Sequence, residues 1–371
     1  MATIPPRTFR LNFMGDVMLG RLIDQLFPTH INEPSEAHHA AQIKKNNPQL
    51  HGYGPRHPWG TTLPLLHSAD LNLINLETSA TTHEAKWPNK VFNYRMHPAN
   101  ISALHEAKID YAGLANNHTL DFSEEGLRET VRTVRGAGIA FAGAGDSEDE
   151  AAAPAVLFLP RGDRDGPLVH VYAASDHPSD WASVPTFHMI DYTTRTRERL
   201  KALLTSSRQD DRDVLKVFSV HWGPNYACQP SREIQSMAHF LIDECGVDVV
   251  HGHSSHHVQG VEKYKGKLII YGCGDFVDDY AVTLGYRNDL SAVWRVTVEE
   301  IGAGGKGNGL YLRKLEVFPT RIRHFQAEVL EPGDADHEFV REQVRSLSME
   351  LGSRPEREAG DEGQLVFNLS K

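Results

Sequence analysis

The feature that most restricts the fold of this 371-residue chain is the regular exchange of short apolar runs for amphipathic helical stretches. Alternation of that kind favours an α/β architecture, in which helices cover the faces of buried strands. The runs that read as strands lie at 9–14, 70–76, 109–114, 139–142, 155–159, 168–173, 215–220, 247–250, 268–271, 292–298 and 310–318. Helices are expected where apolar residues recur every three or four positions between a start and a stop signal. Ser123 is placed to cap one that carries Leu127, Val131 and Val134 and stops at Gly136 and Gly138. Ser231 is placed to cap another that carries Ile234, Met237 and Leu241 and closes at Gly246. Further helices are expected at 98–107, 194–204 and 336–351.

Three segments interrupt the rhythm. Residues 24–66 are rich in Pro, Asn, Gly and His and poor in periodic apolar residues, so they read as a long excursion above the sheet. A loop of that length is a cover for a site or a solvated excursion. Residues 302–309 (GAGGKGNG) lack the Gly-Lys-Ser/Thr ending of a phosphate loop and read as a hairpin turn. The charged stretch 353–363 reads as a linker to a last short strand at 365–368. The expected organisation is one domain over 1–330, carrying 24–66 as an insertion, followed by a C-terminal helix, linker and strand over 331–371.

Charge and cysteine content narrow the partners. With 38 Lys and Arg against 49 Asp and Glu, the net charge is -11, and no basic stripe offers the counterion release that nucleic acids or anionic membranes demand. Three cysteines cannot build a disulfide framework. The N-terminal residues alternate apolar and polar side chains like a strand, without the apolar core of a secretion signal, and no apolar run is long enough to span a bilayer. A cytoplasmic protein without direct membrane insertion is expected.

The chemistry sits where these runs end. The first strand gives way to Gly15-Asp16, the second to Glu77-Thr78, and the third to Asn116-Asn117-His118 with Asp121 beyond. The run at 215–220 ends in His221, and that at 247–250 ends in His251, His253, His256 and His257. In open α/β sheets ligands bind outside the carboxyl ends of the strands. Any one of these residues is ordinary loop chemistry, but successive delivery of carboxylate, amide and imidazole to one rim reads as a metal site. A donor set of that kind without thiolate suits Mn²⁺, Zn²⁺, Fe or Mg²⁺, and the donors suffice for one or two ions. The chain's 21 histidines fit this reading in part.

The motifs MGDVMLGR at 14–21, NLET at 75–78, ANNHTLD at 115–121, HWG at 221–223, GHSSHHVQGVE at 252–262 and IYGCGDF at 270–276 stand in an order that resembles the CapA-type poly-γ-glutamate biosynthesis family. That family is itself related to the calcineurin-like metallophosphoesterases. The resemblance implies a four-layer αββα sandwich of the metallophosphoesterase type. It implies that Asp16 binds one ion, Glu77 bridges, and Asn117 and His221 bind the second. His253 and His256 complete the set, with His257 in reserve. His118 becomes a general acid oriented by Asp121. Two positions depart from the superfamily pattern. Met18 stands where Asp-x-His would place a ligand, and the closing Gly-His-x-His is stretched across 252–257.

The activity so implied is that of a metal-dependent hydrolase using metal-activated water on an anionic phosphoester or a γ-glutamyl or other amide. The alternatives are a biosynthetic enzyme that forms or trims amide bonds at the same site, and a non-catalytic assembly component that binds an acidic polymer. Arg21, Lys90, Arg95 and Arg287 are candidates for gripping substrate carboxylates, since a guanidinium matches a planar anion. A homo-oligomer is compatible with the chain.

Overall fold

In the computed structural model, which describes residues 7–160, 166–206, 213–301 and 309–370, every expected run overlaps a strand. The chain begins β1 (Arg7–Val17), α1 (Arg21–Leu26), α2 (Pro34–Asn46), α3 (Leu63–His67), β2 (Leu71–Leu76), β3 (Ser79–Ala80), β4 (Arg95–Met96), α4 (Ser102–Glu106) and β5 (Tyr111–Gly113). It continues α5 (Ser123–Gly136), β6 (Ala140–Ala142), α6 (Glu148–Ala152), β7 (Ala155–Phe158), β8 (Leu168–Ser175), α7 (Thr194–Thr205), β9 (Val214–His221) and α8 (Arg232–Asp243). The remaining elements are β10 (Val249–His253), β11 (Val261–Tyr264), β12 (Lys267–Ile270), β13 (Asp275–Val277), β14 (Leu290–Ile301), β15 (Gly309–Arg323), β16 (Gln326–Val329), α9 (Ala335–Glu350) and β17 (Leu365–Asn368).

These strands form two large sheets of mixed direction. The first runs β16-β15-β14-β1-β2-β5-β6, with β13 beside β1 and β17 beside β15. The second runs β11-β12-β10-β9-β8-β7. Parallel pairing governs the centre of each, β1 with β2 and β13 in one and β8 with β9 and β10 in the other. That is why residues at the ends of these strands arrive together.

One core cluster takes side chains from both sheets, among them Phe13 and Leu73 from the first and Val171, Val217 and Val249 from the second. A second cluster packs the other face of β8, β9 and β10 against α7 and α8 through Leu200, Leu204, Ile234, Met237 and Leu241. Strands buried on both faces need no alternation, which explains the continuous apolar runs there. Ser231 caps α8 as expected, its hydroxyl accepting from Ile234 N at 3.2 Å.

Three expectations change. Ser123 does not cap α5: it is the first helical residue, at φ 63°, and its hydroxyl donates to Ala85 O at 3.0 Å. Residues 24–66 are not poor in core. They form α2 and two 3-10 turns, and Leu50, Tyr53 and Trp59 are buried within the first cluster. Aromatic residues at irregular spacing fill a core without leaving a periodic signal, and here Trp59 Nε1 donates to Ala103 O at 2.7 Å and Tyr53 to Phe325 O at 2.6 Å. The short strands β3, β4, β11, β13 and β16 were absent from the expected runs because two to four residues carry no measurable period. The turn expected at 302–309 lies outside the described residues except for Gly309, although Ile301 and Gly309 do pair across β14 and β15. The last strand stands at Leu365–Asn368. Among the described residues no helix is long and apolar enough to cross a membrane.

Candidate metal centre

Strand register assembles the site. Asp16 near the end of β1 lies level with Asn75 of β2 on one side and with Asp275 of β13 on the other. In the second sheet His253 lies level with His221. A close approach makes the first of these possible. A Cβ on Gly15 would stand 1.8 Å from Gly274 O, so only glycine lets β1 run against the turn that leads into Asp275. The loop after β10 is bent by positive φ at Ser254 (95°) and His256 (61°), conformations that cost energy for residues other than glycine and gather at functional sites. The bend turns Ser254 N toward Asp16 Oδ2 at 3.2 Å and His256 Nδ1 toward Asp275 Oδ1 at 2.9 Å.

Two overlapping groups of potential ligand atoms result, each gathered within 4.8 Å. One is Asp16, His221 and His253; the other is Asp16, Glu77, His256 and Asp275, and all six residues are buried. Asp16 is common to both. The groups also touch through Glu77, whose Oε1 is 3.8 Å from His221 Nε2. His257 belongs to neither: its Nδ1 faces Val258 O at 3.1 Å and its ring stacks on Tyr286. His257 Nε2 has no hydrogen-bond partner among the described residues, whereas both nitrogens of His251 are occupied, by Met14 O at 2.9 Å and Ser219 Oγ at 3.1 Å.

The polar surroundings hold these side chains in place. Asn75 donates to Asp16 Oδ1 at 2.7 Å and is itself held by Asn116 at 3.1 Å. Ser219 Oγ contacts His253 Nε2 at 3.1 Å, which turns the Nδ1 edge of that ring toward His221 Nδ1 at 2.9 Å. Tyr280 donates to Glu77 Oε2 at 3.2 Å. Yet Glu77 Oε1, Asn117 Oδ1 and His221 Nε2 are buried with no hydrogen-bond partner among the described residues. Buried polar atoms are rarely left so.

Electrostatics point the same way. Burial first, and then the neighbouring Asp16 charge, hold Glu77 and Asp275 far above the ordinary carboxylate range; burial also raises Asp16. Burial and the adjacent imidazoles push His221 and His253 far down. Carboxylates and imidazoles packed together where burial disfavours the charge of each are a donor set that a bound cation would stabilise. Oxygen and nitrogen donors without thiolate fit a divalent ion of the hard to borderline class.

His118 stands beside this cluster, its Nδ1 2.6 Å from Asp121 Oδ2 and its ring stacked on Tyr94 at 3.9 Å. Lys90 Nζ lies 2.7 Å from Asp121 Oδ1, and Tyr94 N donates to Asp121 Oδ2 at 2.6 Å. Burial pushes His118 down to about 4, outweighing the pull of Asp121. Of the other cations expected near substrate, Arg21 lies 3.4 Å from Asp279 Oδ2 and over the Tyr94 ring at 5.1 Å. Arg95 is paired with Glu33, and Arg287 with Asp289 and Asp336. Among the described residues neither makes an ion pair with the cluster.

Sequence reasoning missed two members of this neighbourhood. His177 follows β8 in Ser-Asp-His and so obeys the same strand-end rule as the others, whereas Asp275 opens β13 after the glycine-rich turn of the IYGCGDF motif and does not. His177 is hydrogen-bonded to Asp176, and its ring is 5.0 Å from that of His221. Met18 is not a ligand in waiting, since its sulfur accepts from Gly20 N at 3.2 Å.

Two histidines outside the ligand groups supply a pH test. Burial pushes His188 and His251 down to about 4 from an ordinary 6.5. As pH falls below 6.5 the unfolded chain takes up protons that the folded one refuses, so stability is full above that pH and declines toward 4. Each should remove on the order of 2 kcal/mol of unfolding free energy from metal-free protein between neutral pH and about pH 5. Urea unfolding across that range should show the decline and a shallower one in His188→Gln; identical slopes would contradict it.

Comparison with known proteins adds relatives. A family model described as bacterial capsule synthesis protein PGA_cap matches residues 10–280. A probable polyglutamine synthesis accessory protein of Mycobacterium tuberculosis is 34% identical over 362 residues, covering 92% of this chain and 91% of the relative. The capsule biosynthesis protein CapA of Bacillus anthracis is 22% identical over 282 residues, 74% of this chain and 60% of the relative. The PGA biosynthesis protein CapA of Bacillus subtilis is 22% identical over 294 residues, 79% and 68% respectively.

Proposed function

This chain belongs to the bacterial capsule synthesis protein family, and from that membership together with the buried ligand cluster we propose that it is a metal-dependent hydrolase acting on γ-glutamyl-type amides. The observation that carries the reading is the convergence of Asp16, Glu77, His221, His253, His256 and Asp275 in two overlapping buried groups, in which Glu77 Oε1 and His221 Nε2 have no hydrogen-bond partner among the described residues. Asp16, Glu77, Asn117, His221, His253 and His256 hold the ions in this reading, and Asp275 joins them. One or two divalent ions, Mn²⁺, Zn²⁺ or Fe, would supply an activated water and neutralise charge at the scissile centre.

The chain's own residues do the rest. Asn75 and Ser254 fix the Asp16 carboxylate, and Ser219 fixes the tautomer of His253. Asp121 engages His118 at Nδ1, so Nε2 is the nitrogen left to take the proton released by the attacking water and pass it to the departing group. Arg21 over the Tyr94 ring and Lys90 beside Asp121 give an anionic substrate local positive charge against the acidic net field. The two core clusters support a four-layer sandwich as part of the same reading.

The amide preference rests on the names of the relatives; a phosphoester remains the competing substrate, and amide formation or trimming the competing direction. Metal analysis of freshly purified protein should find a divalent ion, and product analysis should find cleaved amide from γ-glutamyl substrates. Phosphate released from simple phosphoesters alone would reassign the substrate. A metal-free protein that still binds acidic polymer would replace the enzyme with an assembly component.

A further inference from the structure

Tyr94 stands where the segments that carry Glu77, His118 and Asp121 meet. Its backbone is held at both polar groups: Tyr94 N donates to Asp121 Oδ2 at 2.6 Å, and Tyr94 O accepts from Ser79 N, just beyond Glu77, at 3.2 Å. Ser79 closes the circuit, since its Oγ donates to His118 O at 2.8 Å. The buried phenol ring then lies face to face with the His118 imidazole, the centroids 3.9 Å apart and the planes inclined by 18°.

This stack supplies a constraint that the carboxylate does not. A hydrogen bond at Nδ1 fixes one point of an imidazole and leaves its plane to be set by something else. Asp121 Oδ2 provides that point for His118 at 2.6 Å, so Nε2, on the far side of the ring, would swing furthest if the plane turned. A ring in van der Waals contact across the whole face removes the freedom, because a turned imidazole would run into it. Tyr94 is held in turn. Its ring packs on Tyr280 at 5.7 Å, and the Arg21 guanidinium lies over it at 5.1 Å. Tyr280 also donates to Glu77 Oε2 at 3.2 Å, so one ring spans the gap from the imidazole to a side chain bonded to the ligand cluster.

We propose that Tyr94 is a positioning residue for His118, its ring fixing the plane of the imidazole and with it the direction of Nε2 relative to the ligand cluster. The proposal deepens the hydrolase reading, and its kinetic half rests on that reading; its geometric half does not.

NMR of the full-length, metal-free protein with labelled histidine, at neutral pH, tests the geometric half. The His118 ring signal, identified as the one missing from His118→Ala, should lie upfield in the wild type through shielding by the phenol face. It should stay there in Tyr94→Phe and move downfield in Tyr94→Leu, which keeps apolar bulk and removes the ring, while the circular dichroism spectrum is unchanged. Turnover of γ-glutamyl alkylamides and of a γ-glutamyl anilide tests the kinetic half. Tyr94→Leu should lose about ten- to a hundredfold in kcat on the alkylamides at nearly constant KM, with a smaller loss on the anilide. Tyr94→Phe should recover most of that loss. In a His118→Ala background Tyr94→Leu should cost no more than about twofold, because the group it positions is gone. A wild-type His118 signal at an unshifted position, or one that Tyr94→Leu leaves in place, overturns the proposal. A turnover loss of equal size with and without His118 does so too. A chain that shows the shift and hydrolyses none of these substrates would sink the hydrolase and leave Tyr94 as the residue that sets the His118 ring.

Discussion

Asp16→Ala is expected to purify with little bound divalent metal and to lose at least about a thousandfold in turnover. The size of the effect follows from Asp16 being the one residue present in both ligand groups. Its neighbours would lose more than a ligand: Asn75 Nδ2 and Ser254 N both donate to it, so their orientation would relax as well. A folding defect can be told apart from a binding defect. Burial raises Asp16, which means that its charge is a burden to the metal-free fold. Metal-free Asp16→Ala should therefore melt no lower than metal-free wild type, while the rise in Tm that metal gives the wild type should vanish. Elemental analysis and thermal melts with and without chelator check both halves. Wild-type metal content in the variant would remove Asp16 from the site.

His118→Ala should do the opposite on metal and much the same on rate. Metal content is expected to remain at the wild-type level, because His118 lies in neither ligand group, while turnover falls by about 10²–10⁴-fold. The loss should depend on the leaving group. An amine that must be protonated to depart needs the acid, whereas an activated anilide or phenolate does not, so the penalty should shrink as the leaving group improves. Asp121→Asn should give a smaller loss of the same character, since it disturbs His118 Nδ1 but also frees Lys90 and Tyr94 N. A penalty independent of leaving group would assign His118 to structure.

Much of this arrangement was legible in the sequence because one physical rule recurs along it. Asp16, Glu77, His221 and His253 each sit where a parallel strand ends, and parallel neighbours in register bring such ends together. What was not legible depended on pairing between distant segments. Asp275 meets Asp16 only because β13 aligns with β1, across 259 positions of sequence that no local pattern connects. The separation of His256 from His257 turns on a single positive φ at residue 256. The core contribution of 24–66 was hidden for a different reason, since Tyr53 and Trp59 bury through contacts with Phe325 and Ala103 rather than with their own neighbours in sequence.

The path of the chain between the two sheets has a consequence for when the site can exist. Strands β1 to β6 open the first sheet apart from the small β3–β4 pair, β7 to β12 make the whole of the second, and β13 to β17 return to complete the first. A nascent chain released as far as β12 would already contain Asp16, Glu77, His221 and His253, yet Asp275 and Tyr280 would still be inside or ahead of the ribosome. Domains fold as units during synthesis, and contacts of high sequence separation form late. The cluster is thus incomplete until the last strands dock, so on the proposed function an ion would be captured only once synthesis of the first sheet is finished.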